Sequence, residues 1–106
     1  MDTWYPCSWI MIRSFGDTGT ENIFHGVDSK AARRMSRELW PRIRRVLDQL
    51  AVAQDVGDMR IPPSNRLEKL SGDLKGSYSV RVNQQFRITF RFSNGDAWEV
   101  KCEDYH

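Results

Sequence analysis

Two cysteines in 106 residues, Cys7 and Cys102, are too few and too far apart to build a disulfide framework or to match a metal-ligand spacing. Both are read as inert thiols, Cys102 as a small strand hydrophobe, in keeping with a reducing cytoplasm. No apolar run approaches the length of a membrane span, so a transmembrane helix is excluded and no membrane partner is expected. The opening MDTWYPCSWIM has no positive n-region and carries Asp2 and Pro6, which does not describe a secretory leader. Internal repeats and low-complexity tracts are also missing. What remains, with 40% hydrophobic and 28% charged residues, is the composition of one soluble domain with a single core.

Charge is abundant but uneven. Residues 1–29 hold one basic residue against four acidic ones, and residues 93–106 repeat that balance. Between them, residues 30–92 hold fourteen Lys and Arg against six Asp and Glu, a net +8. A basic middle of that kind fits a polyanionic partner or, equally, well-solvated helices.

The central stretch YSVRVNQQFRITFRF has a period of two. Tyr78, Val80 and Val82 alternate with Ser79, Arg81 and Asn83, and Phe86, Ile88, Phe90 and Phe92 alternate with Arg87, Thr89 and Arg91. Strands place such residues on opposite faces, so the apolar set fills a core while Arg81, Arg87 and Arg91 collect on the other side. That face suits an anion; an ordinary solvated strand face is the competing reading. Asn94-Gly95 between Phe92 and Ala97 predicts a hairpin, and AWEVKC then places Trp98, Val100 and Cys102 on one face.

Upstream, residues 1–10 are expected to be an extension, with Met11 as an alternative start and the domain spanning 11–106. Ile10, Ile12 and Phe15 suggest a short strand. Thr18 with Glu21 has capping-box spacing for a helix that Gly26 stops. Asp28 or Ser29 caps a second helical region through SKAARRMSRELW, and a helix restarts near Pro41. Ile43, Val46, Leu47 and Leu50 form its apolar stripe, packed on the sheet. Its other side presents Arg42, Arg44 and Arg45, for which solvated face, phosphate contact and partner contact all remain open. Gly57, Pro62, Pro63, Ser64 and Asn65 mark an ordered loop, anchored by Leu67 and Leu70.

NRLEKLSGD, SYSVRVNQQFRITFRF, NGDAWEV and the terminal EDYH, taken together, resemble the HigB branch of the RelE-like toxins of bacterial toxin–antitoxin systems, also called plasmid maintenance killer proteins. The resemblance runs from about Met11 to His106. It implies an α+β, RelE-like compact domain with an antiparallel sheet, N-terminal helices packed on one face and a shallow basic groove on the other. It further implies a ribosome-dependent mRNA endoribonuclease that inhibits translation, acting on mRNA on the 70S ribosome with no cofactor and no metal. The partner it implies is a helix-turn-helix, HigA-like antitoxin, with operator DNA bound only through the toxin–antitoxin complex.

The implied reaction is attack by the RNA's own 2′-hydroxyl, which needs positive charge on the phosphate and proton transfer at the attacking and leaving oxygens. Arg87, in the QFRITF-like motif, is the candidate for transition-state stabilisation, and Arg81 for phosphate positioning. Tyr105 and His106 match the terminal Tyr-His, Tyr105 for stacking or orienting and His106 for moving a proton. Arg66, Lys69, Lys75 and Arg91 are further RNA-binding candidates. Some relatives carry a lysine where this chain has Ser71 and a histidine where it has Glu68, so the basic pair is absent: Glu68 could act as a base and Lys69 or Lys75 supply charge, the general base stays unassigned, and modest catalytic power is expected. His25, with no partner nearby, reads as a surface histidine. A non-catalytic RNA- or ribosome-binding module is the alternative, and a scaffold pairing through its basic helices a weaker third.

Overall fold

A computed structural model describes residues 11–71 and 76–105. The proposed extension at residues 1–10, Cys7, Lys75 and His106 lie outside the described residues. The described chain forms helix α1 (Thr18–His25), helix α2 (Trp40–Ala51) and a four-stranded antiparallel sheet in the order β1 (Glu68–Lys69), β2 (Ser77–Arg81), β3 (Phe86–Ser93), β4 (Asp96–Asp104). No helix among the described residues is long and apolar enough to cross a membrane.

The period-two pattern sets the sheet. Val80 pairs with Ile88 and Ile88 with Cys102, all three fully or almost fully buried, and the adjacent row sets Arg81 opposite Arg87 and Arg87 opposite Glu103. One face is therefore apolar and the other polar. Ile43, Val46, Leu47 and Leu50 of α2, all fully buried, join the apolar face in a single core. Pro41 stands in the first turn of α2, where a missing amide costs nothing. The hairpin between β3 and β4 turns at Asn94 and Gly95, with φ of 54° and 82°, the pair of left-handed residues that a two-residue turn requires.

Several local expectations change. Asp17, not Thr18, caps α1, its carboxylate accepting from the Thr20 amide at 2.7 Å. SKAARRMSRELW forms two single 3₁₀ turns, Ala32–Arg34 and Arg37–Leu39, instead of one helical region. Ala31 is the N-cap of the first and makes no side-chain cap, Ser29 Oγ accepting instead from the Ala32 amide at 3.0 Å, while Asp28 pairs with Arg33 and Arg37. Ile12 and Phe15 make isolated parallel bridges to Ala97 and Val100. Trp98 is not on the Val100–Cys102 face. Thr89 pairs with Lys101 but Arg91 with Trp98, so β4 carries one extra residue at Glu99 (φ 54°). That bulge turns Trp98 outward and puts Ala97 in the core, fully buried, while Trp98 is 36% exposed.

Cys102 is 1% exposed, and its amide donates to the buried Thr20 hydroxyl at 2.9 Å, tying α1 to β4. Burial pushes its thiol up to about 12 from 9.0, against a smaller opposing pull from Arg34. The native state thus holds the proton more tightly than the unfolded chain. This contribution to stability is present below about 9.0 and is lost as pH rises toward about 12. Native protein treated with iodoacetamide at mildly alkaline pH should stay unmodified at Cys102 by peptide mass mapping, and react there only once unfolded. Native-state modification at the rate of a free thiol would contradict this.

Candidate nuclease site

Arg87 stands on the polar face of β3, and most of its surroundings are fixed by register. Glu68 is opposite Ser79, and Ser79 opposite Thr89, so β1, β2 and β3 set Glu68, Ser79 and Thr89 in one row beside Arg87. Arg87 Nε donates to Ser79 Oγ at 2.8 Å, and its Nη2 donates to the Arg66 carbonyl at 2.7 Å. Glu68 Oε1 lies 3.7 Å from Nη2, and the Tyr105 ring centroid 5.8 Å from the guanidinium carbon. The side chain is only 12% exposed. Among the described residues Nη1 nevertheless has no hydrogen-bond partner, and no buried side-chain nitrogen or oxygen lacks one, so Nη1 is open to solvent. Two of the three nitrogens hold the group still and the third faces outward. Such a fixed donor stabilises a developing anion without reorganising.

Arg66 reaches Arg87 through its backbone because it follows the 3₁₀ turn Pro63–Asn65 in a left-handed conformation, φ 47°. Asn65 holds that turn. Fully buried, it donates through Nδ2 to the Met59 carbonyl at 3.0 Å and accepts at Oδ1 from Arg45 Nη2 at 2.8 Å. At the other end of the site, the Tyr105 amide donates to the Gln85 carbonyl at 2.7 Å, which places the 48% exposed ring over Arg87.

In place of the one shallow basic groove expected, two separate depressions lie near Arg87. One, of about 560 Å³, has Ser77 and Thr89 along its floor and Tyr105, Arg91, Lys101, Glu99 and Glu103 around it. Its charges are largely compensated: Arg91 meets Glu99 at 3.4 Å, Lys101 meets Glu103 at 3.9 Å, and Thr89 Oγ1 donates to Glu103 at 2.6 Å. The other, also about 560 Å³, is lined by Arg66 and Arg81 together with Arg42 and Arg45 of α2.

The candidates are therefore distributed as follows. Arg87, Glu68 and Tyr105 converge. Arg81, in register with Arg87, turns its Nε to the Asn83 carbonyl at 3.3 Å and lines the second depression. Arg91 belongs to the first depression, beyond Thr89. Lys69 pairs with Tyr78, one residue out of phase with Glu68, so the pleat turns it from the Arg87 face. His25 is exposed, edge-on to Phe24 at 5.2 Å. Ser79 does not stand out in the sequence; its parity with Arg81 is the one signal there. Among the described residues no three His, Cys, Asp or Glu side chains gather as a metal set.

Residues 13–106 match the family described as RelE-like toxin of type II toxin-antitoxin system HigB. The chain belongs to the HigB-like toxins. Toxin HigB-1 of Vibrio cholerae is 39% identical over 87 residues, covering 82% of this chain and 90% of the relative. Endoribonuclease HigB of Proteus vulgaris is 35% identical over 97 residues, covering 91% of this chain and all of the relative. The fold of this toxin is similar to that of the Staphylococcus aureus YoeB dimer, TM-score 0.58 at 18% identity, covering 92% of this chain and 98% of that one. YoeB in its complex with YefM, from the same organism, gives 0.56 at 17% identity, covering 90% and 97%. As a toxin of a type II system, the protein has an antitoxin as its partner.

Proposed function

We propose that this HigB-like toxin, an endoribonuclease, cuts messenger RNA within codons while the message lies in the ribosomal A site. The supporting observation is the Arg87 guanidinium, immobilised by Ser79 and the Arg66 carbonyl with Nη1 left outward beneath Tyr105. Nη1 donates to a non-bridging oxygen of the scissile phosphate as the 2′-hydroxyl attacks and negative charge grows there. Arg81, on the neighbouring strand, positions the scissile phosphate by holding the RNA backbone next to it. Tyr105 carries a base on its exposed face.

His106 and Glu68 are the proton carriers. Glu68 lies on the Arg87 face with its carboxylate largely in solvent, able to take the 2′-hydroxyl proton, and His106 supplies a proton to the departing 5′-oxygen. Attack by the 2′-hydroxyl uses no metal. Arg66 and Arg91 serve as RNA contacts on either side of this centre, and Lys75 as a third. Residues 1–10 are an extension outside the toxin domain. The antitoxin is a helix-turn-helix protein, operator DNA is bound only through the complex of the two, and the site of action is the cytoplasm.

Expression from an inducible promoter tests the reading. Growth should stop, and message 5′ ends should map within translated codons, disappearing when translation initiation is blocked. Cuts that persist without translation would rule out a role for the ribosome, and arrest with intact messages would favour RNA binding without cleavage.

A further inference from the structure

Of the twelve arginines, six meet a carboxylate among the described residues and six, Arg44 and Arg60 included, do not. Arg13, Arg33, Arg34, Arg37, Arg87 and Arg91 each lie against a carboxylate. Arg42, Arg45, Arg66 and Arg81 meet none among the described residues, yet all four line the same cleft. Their side-chain hydrogen bonds go to uncharged oxygens: Arg42 Nη1 to the Val82 carbonyl at 3.3 Å, Arg45 to Asn65 at 2.8 Å and Gln49 at 3.4 Å, Arg81 to the Asn83 carbonyl. The Arg66 side chain has no hydrogen-bond partner among the described residues. The rest of the cleft, including Ser64, Asn83 and Gln84, adds no negative charge. Four like charges in one concavity repel each other and focus a positive field, which a bound anion relieves. Guanidinium forks add matched pairs of donors for phosphate oxygens.

Arg44, on the same helix, shows that this grouping is not a property of α2 as a whole. It lines a different depression with Trp40 and Pro41, on the Gly26 side. Arg42 and Arg45, three residues apart, share the cleft face.

We infer that the Arg42–Arg45–Arg66–Arg81 cleft is a second phosphate subsite, holding the phosphodiester chain of RNA beside the reaction centre. The inference rests on the nuclease reading for its orientation. Arg81 is the strand partner of Arg87, and Arg66 both gives its carbonyl to Arg87 and lines the cleft. Cleft and centre thus share a wall, and a strand whose scissile phosphate meets Arg87 presents its next phosphates there. An amphipathic antitoxin helix is the poorer occupant, because Pro62 and Val82 are the only apolar residues among the described lining and give it little to anchor on.

The test is binding of a short 2′-O-methyl oligoribonucleotide, which cannot be cut, measured against salt for the whole protein and for Arg42→Gln/Arg66→Gln. The double variant should bind more weakly, with the slope of log affinity on log salt shallower by about 0.7 for each phosphate no longer neutralised, about 1.4 in all. Arg42→Lys/Arg66→Lys should restore most of the slope, which separates missing charge from disturbed structure. A parallel titration of ribosomes without message assigns the source. Weakening on the oligonucleotide supports a message strand in the cleft, and weakening on ribosomes alone supports ribosomal RNA phosphates. Unchanged affinity and slope with both RNAs would overturn the subsite, as would weakening confined to purified antitoxin. Because the probe is not cleaved, salt-sensitive binding through these residues by a protein that cuts no message would sink the nuclease and leave the subsite standing.

Discussion

Arg87→Ala lowers the single-turnover rate of message cleavage on programmed ribosomes by about a hundred- to a thousand-fold, the scale on which one preorganised donor acts in a transition state. The loss is concentrated in the chemical step, because Nη1 is the outward atom while Nε and Nη2 only hold it in place. The substitution also leaves the buried Ser79 hydroxyl and the Arg66 carbonyl without their donor, at a stability cost of about 1–3 kcal/mol. Chemical denaturation measured beside the kinetics separates the two effects. Arg87→Lys keeps a charge but cannot hold Ser79 and Arg66 together while reaching outward, so it should recover only part of the rate. A variant that folds and cleaves at the wild-type rate without this guanidinium would refute its role.

Asn65→Ala should cost about 1–3 kcal/mol in urea unfolding, because the buried Met59 carbonyl loses its donor and Arg45 Nη2 its acceptor. Asn65 is fully buried and its amide serves the carbonyls of Met59 and Ile61 and the side chain of Gln49, while its oxygen takes Arg45. No apolar residue reproduces that set. Since Asn65 sets the turn from which Arg66 offers its carbonyl to Arg87, the variant should also cleave more slowly under conditions where it is still folded. Loss of stability below about 1 kcal/mol would mean that water substitutes for the amide and that the turn is held by other contacts.

The sheet was legible because two-residue alternation has one interpretation once aromatic and branched side chains mark a face, and the Asn94-Gly95 turn fixed how β3 and β4 pair. The α2 stripe was equally plain. Trp98 misled because a single extra residue at Glu99 reverses parity, and nothing in AWEVKC announces a left-handed glutamate. Thr18 and Asp17 are both capping residues at adjacent positions, a choice decided by where the chain arrives from Phe15 and Gly16, whose amide bonds to the Val100 carbonyl. Arg87 and Tyr105 were visible through the family motifs. The use of Ser79 as an anchor, and of Arg42 and Arg45 as cleft walls, depends on contacts 8 to 40 residues apart in sequence. Such contacts belong to the packing of α2, the Asn65 turn and β2, and leave no periodic trace.

In the proposed mechanism the ribose cuts its own backbone while Arg87 receives the charge. A message with one 2′-deoxy nucleotide at the mapped cut position, presented on programmed ribosomes, tests it directly. No cleavage is expected at that position and, on the unmodified message, the products should carry a 5′-hydroxyl on one side and a 2′,3′-cyclic or 3′-phosphate on the other. Undiminished cutting at the deoxy position, with a 3′-hydroxyl and a 5′-phosphate, would contradict the mechanism.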